Sequence, residues 1–142
     1  MHDKTVTLWN YHQGTGMWYP TVIGGVSFWT NDAAAASPHG GNSATSFEAS
    51  IPAPGGIVIS KGGEKRIFPP KTYAVCASPD KCVTFAPGID FIAEGETESA
   101  PIRDADYESG LYDAMNASND GIHLITEAVY YGLIPHYEIG GK

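Results

Sequence analysis

Two cysteines, five histidines and a run of carboxylates have the means to do chemistry in this sequence, and their spacing decides which kind. A structural zinc site needs four Cys or His ligands, usually in close pairs. Cys76 and Cys82 stand beside isolated histidines, with neither Cys-x-x-Cys nor His-x-x-x-His, so no metal is expected. A disulfide closing the Ser78-Pro79-Asp80 turn is geometrically possible, but thiols stay reduced in a cytosol, which favours two free cysteines. Nucleophilic catalysis needs an activated Ser or Cys with a base. Gly41-Asn42-Ser43 lacks the closing glycine of a nucleophile elbow and lies in loop sequence. Cys76 paired with His123 or His136 is a combination any chain of this size offers, so no catalytic residue is assigned. Gly62-Gly63-Glu64-Lys65 has the glycines of a phosphate cradle without the Lys-Ser/Thr step, and a hairpin turn accounts for it. No cofactor is expected.

Carboxylates give a stronger signal. Glu94, Glu96, Glu98, Asp104, Asp106, Glu108 and Asp113 are interrupted only by Arg103 among charged residues. They lack the twelve-residue calcium pattern, and read as a solvated acidic surface that repels nucleic acid or docks a basic partner. Trp9, Tyr11, Trp18, Tyr19, Phe28 and Trp29 crowd the N-terminal part. They serve either as core and cross-strand pairs or as a carbohydrate or protein contact face.

The elements that must hold these residues follow from composition and period. The chain has 142 residues, 42% apolar and only 17% charged, with 17 Gly and 10 Pro. That length suits one domain, and that balance favours strands and turns over a helical bundle. Residues 5–11 alternate, with Val6, Leu8 and Asn10 on one face and Thr5, Thr7, Trp9 and Tyr11 on the other. This period of two predicts a strand. Gln13-Gly14-Thr15-Gly16 turns it, and strands are expected over 17–23, 26–29, 45–51, 56–60, 66–68, 82–85, 90–93, 122–131 and 136–139. Gly24-Gly25 permits a bend or bulge. Pro69-Pro70-Lys71 can begin a short helix. Residues 105–117 are the one good helix candidate, with Asp104 or Asp106 as the cap and Gly110 as a weakness. The expected fold is all-β, mainly antiparallel: a small β-barrel over residues 1–142, with a loop at 31–46 and an acidic linker plus short helix at 94–117.

A net charge of −8, with scattered basic residues, opposes stable binding to nucleic acid or to acidic membranes. No apolar stretch approaches the roughly 18 residues of a membrane span. Met1-His2-Asp3-Lys4 runs into alternating sequence without an apolar signal core, which reads as a protein folded in the cytoplasm.

Several stretches, in order, resemble the minor capsid, head-closure or stopper proteins of tailed bacteriophages and prophages. They are residues 3–10 (Asp-Lys-Thr-Val-Thr-Leu-Trp-Asn), Trp18-Tyr19-Pro20-Thr21-Val22, Phe68-Pro69-Pro70-Lys71, Gly88-Ile89-Asp90-Phe91-Ile92 and the stretch from Ile134-Pro135-His136 to Lys142. The resemblance implies a virion structural protein without enzymatic activity, assembled in the host bacterial cytoplasm. It would form a homo-oligomeric ring in the head–tail connector, joining the DNA-filled head to the tail. Its partners would be the neighbouring adaptor or portal and tail proteins, with DNA passing transiently and without specific binding. Another connector ring protein (a tail terminator or adaptor) and a monomeric aromatic-rich carbohydrate- or peptide-binding module are the alternatives, with an enzyme third. Residues 31–46 are rich in Ala, Ser, Gly, Asn and Thr, and so long a connection is commonly functional or disordered. By the same resemblance, Asn31, Ser37, Pro38, His39, Gly40, Gly41 and Asn42 are the channel or gating loop.

Overall fold

The alternating N-terminal segment forms β1 (Lys4–His12), which turns at residues 13–16 into β2 (Met17–Thr30). These strands and those that follow come from a computed structural model, which describes residues 4–30, 47–97 and 100–142. After β2 come β3 (Phe47–Pro52), β4 (Ile57–Ser60) and β5 (Gly63–Ile67), then the short helix α1 (Pro70–Tyr73). The chain continues through β6 (Cys82–Val83), β7 (Phe91–Glu94), β8 (Ile102–Arg103), α2 (Leu111–Ser118), β9 (Ile122–Tyr131) and β10 (His136–Gly141).

Six strands close on themselves in the order β1-β7-β9-β10-β3-β2, with β2 returning to β1. The expected small, mainly antiparallel β-barrel is the fold. Closure depends on β2 serving two neighbours. Residues up to Val26 pair with β1, and Ser27–Thr30 pair with β3. Gly25 sits between at a φ of 68°, and the β1–β2 register slips between Lys4 and Val6. A left-handed glycine at a bulge lets one strand bend from one wall into the next. The two strands expected over 17–29 are thus one strand with a corner. Outside the ring, β4 joins β2 at Ile23, and β5 and β6 extend that edge.

The barrel is filled by side chains, among them Val6, Leu8, Ile23, Phe28, Phe47 and Ile139. β1 is buried on its other face too. Trp9 packs there with Trp18, Phe91, Leu111 and Ile122 in a second core beneath α2. Trp9 stacks on Phe91 at 6.0 Å, and Trp18 meets the same ring edge-on at 5.1 Å. Burying a ring of this size contributes roughly 3 kcal/mol. Strand alternation would let Ile122 share one apolar face with Val6 and Leu8, but it lies in this second core.

The helix begins later than expected. Residues Asp104–Asp106 make a single 3-10 turn and α2 starts at Leu111. Gly110 has a φ of 88°, which breaks the helical path. Asp104 reaches across instead: its Oδ1 accepts the Leu111 N–H at 2.9 Å and the Trp18 indole N–H at 2.7 Å. One carboxylate therefore caps the helix and fixes a ring of the core that the helix covers.

A polar knot lies within the barrel wall. Asp90 is fully buried. Its carboxylate accepts the Tyr11 N–H at 3.0 Å, the Ala86 N–H at 3.0 Å and the Asn10 amide at 2.8 Å. Asn10 also donates to the Thr84 carbonyl at 2.6 Å and accepts the Thr84 N–H at 3.3 Å. Burial pushes the Asp90 carboxyl up to about 7, against the downward pull of its three donors.

Asp90→Asn puts an NH2 group against backbone or amide donors, and we expect it to cost about 2 kcal/mol. The Asp90 pKa is higher in the fold than in the unfolded chain. Its contribution to stability is therefore full below pH ~4, declines as pH rises toward 7 and is level above that. Denaturant titrations of both proteins should show the gap between wild type and Asp90→Asn narrowing across that window. An equal gap at pH 4 and pH 8 would show that this carboxyl does not titrate there.

Candidate functional site

One wall of the barrel, made of the second part of β2 with β3, β10 and β9, presents its outer face to solvent. Register places three rows of side chains across it. Trp29, Glu48, Gly140 and Glu127 form one row; Ser27, Ser50, Glu138 and Val129 form the next; Pro52, His136 and Tyr131 form the third. Gly140 has no side chain, so the first row has a gap one residue wide between Glu48 and Glu127. Strands lie about 4.8 Å apart, which sets the backbones of those two glutamates about 10 Å apart across the gap. The result is a depression of about 270 Å³ floored by Gly140 and walled by Trp29, Glu48, Glu127, Glu138, Val129 and Tyr131. Trp29 is 51% exposed. His136 bonds Glu138 at 3.1 Å and stacks on Tyr131 at 5.3 Å. Its bond to the Ile134 carbonyl, then Glu138, raises its pKa.

A bulge puts β9's contribution on this face. Gly140 pairs with Glu127 but Gly141 pairs with Ile125, so Thr126 is an extra residue. Ile125 before the bulge and Ala128 after it both turn toward the barrel core. One inserted residue shifts the alternation, leaving Glu127, Val129 and Tyr131 outside. The approach is tight. A Cβ on Gly141 would lie 1.8 Å from the Leu124 carbonyl oxygen, which accepts the Lys142 N–H at 3.0 Å.

Other candidates are dispersed. Glu94 bonds His123 at 2.8 Å, Glu96 pairs with Lys61, and Asp104 holds Trp18 and α2. Asp106 is exposed on its 3-10 turn. Glu98 lies outside the described residues, as do Asn31, Ser37, Pro38, His39, Gly40, Gly41 and Asn42 of the expected loop. The Lys61–Glu96 pair lines a second, shallower cleft beside Thr5, Val22 and Ile59. Exposed pairs of this kind add little stability.

Cys76 and Cys82 are half-buried free thiols, and burial together with neighbouring Cys76 raises the Cys82 pKa. Neither His123 nor His136 bonds Cys76. His12 does so, through its Nε2–H to the Cys76 carbonyl at 3.0 Å, while its Nδ1 accepts the Thr15 N–H at 3.2 Å. With both nitrogens engaged, this imidazole ties the first hairpin to the segment after α1. Among the described residues no group of three or more His, Cys, Asp or Glu could hold a metal ion. No described helix is long and apolar enough to cross a membrane.

Of the six N-terminal aromatics, Trp9, Trp18 and Phe28 are buried, Tyr11 and Tyr19 are half-buried, and Trp29 alone stands in the open. The contact-face reading therefore narrows to Trp29. Sequence reasoning missed Glu48, Glu127, Glu138 and Gly140. The visible signal was the alternation Glu127-x-Val129-x-Tyr131, but the bulge that directs it outward leaves no mark in residue types.

Fold and site define a small closed β-barrel with a packed interior and an acidic, aromatic-edged recess on its outer wall. The chain belongs to DUF6751, a family of unknown function whose model matches residues 1–142. Comparison with curated proteins and with solved structures finds no match.

If the bulge fixes this face, Gly141→Ala forces β10 away from Leu124 and should cost at least about 3 kcal/mol. Gly24→Ala, with only Thr5 Oγ1 within 4 Å and no positive φ, should change stability by less than about 0.5 kcal/mol. Chemical denaturation of the two variants decides it, and a loss below about 1 kcal/mol for Gly141→Ala would mean that the bulge relaxes freely.

Proposed function

We propose that the chain is a structural subunit of a tailed-bacteriophage virion: a ring-forming component of the head–tail connector that closes the DNA-filled head and joins it to the tail. What carries this reading is where the molecule spends its side chains. The barrel interior is packed, and the unusual exposure is outside. Leu133 is 99% and Ile134 75% exposed at the tip between β9 and β10, next to Val129, Tyr130 and Tyr131. Projecting apolar residues on an outer surface fit a protein whose task is contact with other proteins. The ordered run of connector-like stretches supplies the particular assembly. A net charge of −8 suits a channel past which DNA phosphates slide without adhering.

A second reading is favoured by one observation, the half-exposed Trp29 beside the Gly140 recess. On that reading the chain is a monomeric module that binds a peptide or carbohydrate. Sedimentation of the purified protein, alone and with the products of flanking genes, separates a ring component from a module.

Deleting the gene from an inducible prophage should leave heads and tails that accumulate separately, with DNA lost from the heads. Complete, infectious particles from the deletion strain would overturn the connector reading.

A further inference from the structure

We infer that the Gly140 recess is a socket for the cationic side chain of an arginine or lysine, presented by a basic, apolar-flanked segment of a partner protein. The inference stands on this wall of the barrel and does not rest on the connector reading.

Three features of the wall select that ligand. The first is charge. Glu48, Glu127 and Glu138 surround the recess, no lysine or arginine occupies any of the three rows, and His136 is the only basic side chain in them. Glu48 and Glu127 stand on either side of the gap with Glu138 in the next row, and a cation seated between them is attracted by all three. The second is shape. A missing side chain in one row leaves a slot a single residue wide, and about 270 Å³ is below the usual size of a small-molecule pocket. The slot admits one long side chain. The third is the rim. Trp29 flanks Glu48 in the row and lines the recess half exposed, within reach of a guanidinium or ammonium, while Val129 and Tyr131 are placed to meet the methylenes of its stem. Beyond Tyr131 lie Leu133 and Ile134, open to apolar neighbours of the cation in the partner's sequence.

Arginine suits the slot better than lysine, because its planar fork can bond carboxylates on two sides at once. A sugar would use the Trp29 side chain but bring no charge to meet Glu48 and Glu127, Glu138 already being bonded to His136. A second copy of this chain carries its own basic residues along the β4–β6 edge, so self-contact is the competing occupant that sedimentation tests.

The test uses the full chain, labelled with ¹⁵N, and the blocked peptide acetyl-Leu-Arg-Leu-Gly-amide. Saturable shifts are expected at the Gly140 and Glu127 amides and the Trp29 indole, with affinity falling as salt rises. Replacing arginine by its neutral isostere citrulline should weaken binding roughly tenfold or more, as should the surface pair Glu48→Gln/Glu127→Gln. The control pair Glu64→Gln/Glu108→Gln removes the same charge elsewhere and should stay within about twofold. Equal affinity for the citrulline peptide, equal weakening by the control pair, or shifts centred away from Gly140 would each overturn the socket. Maltoheptaose shifting the same amides when the arginine peptide does not would replace it with a sugar site. Recess variants that alter sedimentation of the free protein, with no peptide binding, would replace it with a self-contact.

Discussion

A single buried carboxyl group fastens the first strand of this barrel to the loop before β7. Asp90 draws in donors from two separate stretches, Asn10 and Tyr11 of β1 and Ala86 of the loop before β7. Its own backbone carbonyl accepts the Ile125 N–H at 3.0 Å, and two residues earlier Gly88 donates to the Ile125 carbonyl at 2.7 Å. β1 and β9 are thereby fastened to one short loop, on either side of β7, which pairs with both. A hydrophobic strand interior is tolerant of register, because apolar contacts are non-directional. A buried carboxyl group held by three donors is not, since leaving a buried polar group unmet costs more than a displaced methyl group. The knot sets which residues of β1, β7 and β9 meet, and the apolar side chains then fill the space that register defines.

From that constraint the division between inside and outside follows. The barrel has a diameter that side chains can fill, as small closed sheets do. Every inward position spent on packing leaves recognition to the outer walls. One outer face is itself covered, because α2 and the Trp9–Trp18–Phe91 cluster bury it. The wall of β2, β3, β10 and β9 stays open. Its character is made by two adjacent glycines with different tasks. Gly141 lets β10 approach Leu124 at the bulge, and Gly140 leaves the gap that the bulge has ringed with carboxylates.

The sequence made the strands legible because their period of two survives wherever one face is apolar. It made the turns legible through Gly and Pro. What it hid has physical causes. β1 is buried on both faces, so the alternation of Leu8 and Trp9 separates two cores and does not separate core from solvent. Tyr107, Leu111, Ala114 and Met115 keep helical spacing across Gly110, so residues 105–117 look like one helix, but the positive φ of Gly110, which no spacing reveals, delays the helix to Leu111. Alternation alone would put Val6, Leu8, Ile122, Leu124 and Ile139 on one apolar face, yet Ile125 and not Leu124 lies in the barrel core, because a one-residue bulge reverses parity without changing composition. Glu94, Glu96 and Asp104 read as one acidic surface, and folding gives each a different partner. The recess draws its walls from four strands distant in sequence, and its floor is the absence of a side chain, which no motif encodes.

Charge distribution gives the open wall a direction. Five of the eight basic residues, Lys61, Lys65, Arg66, Lys71 and Lys81, fall between residues 61 and 81, on or near the β4–β6 edge of the sheet. The β2-β3-β10-β9 wall has none at its outward positions and carries Glu48, Glu127 and Glu138. A molecule so divided orients in an approaching partner's field before contact, and attraction from the acidic wall is felt over about a Debye length, roughly 8 Å at physiological salt. Such a field favours approach by basic surface and opposes approach by phosphate. Beside it, Leu133 and Ile134 extend from the tip between β9 and β10, so the charge that steers an encounter and the apolar surface that holds it lie side by side. The assembly role proposed above would draw on both: long-range selection of a partner, then desolvation of a small apolar contact that fixes it.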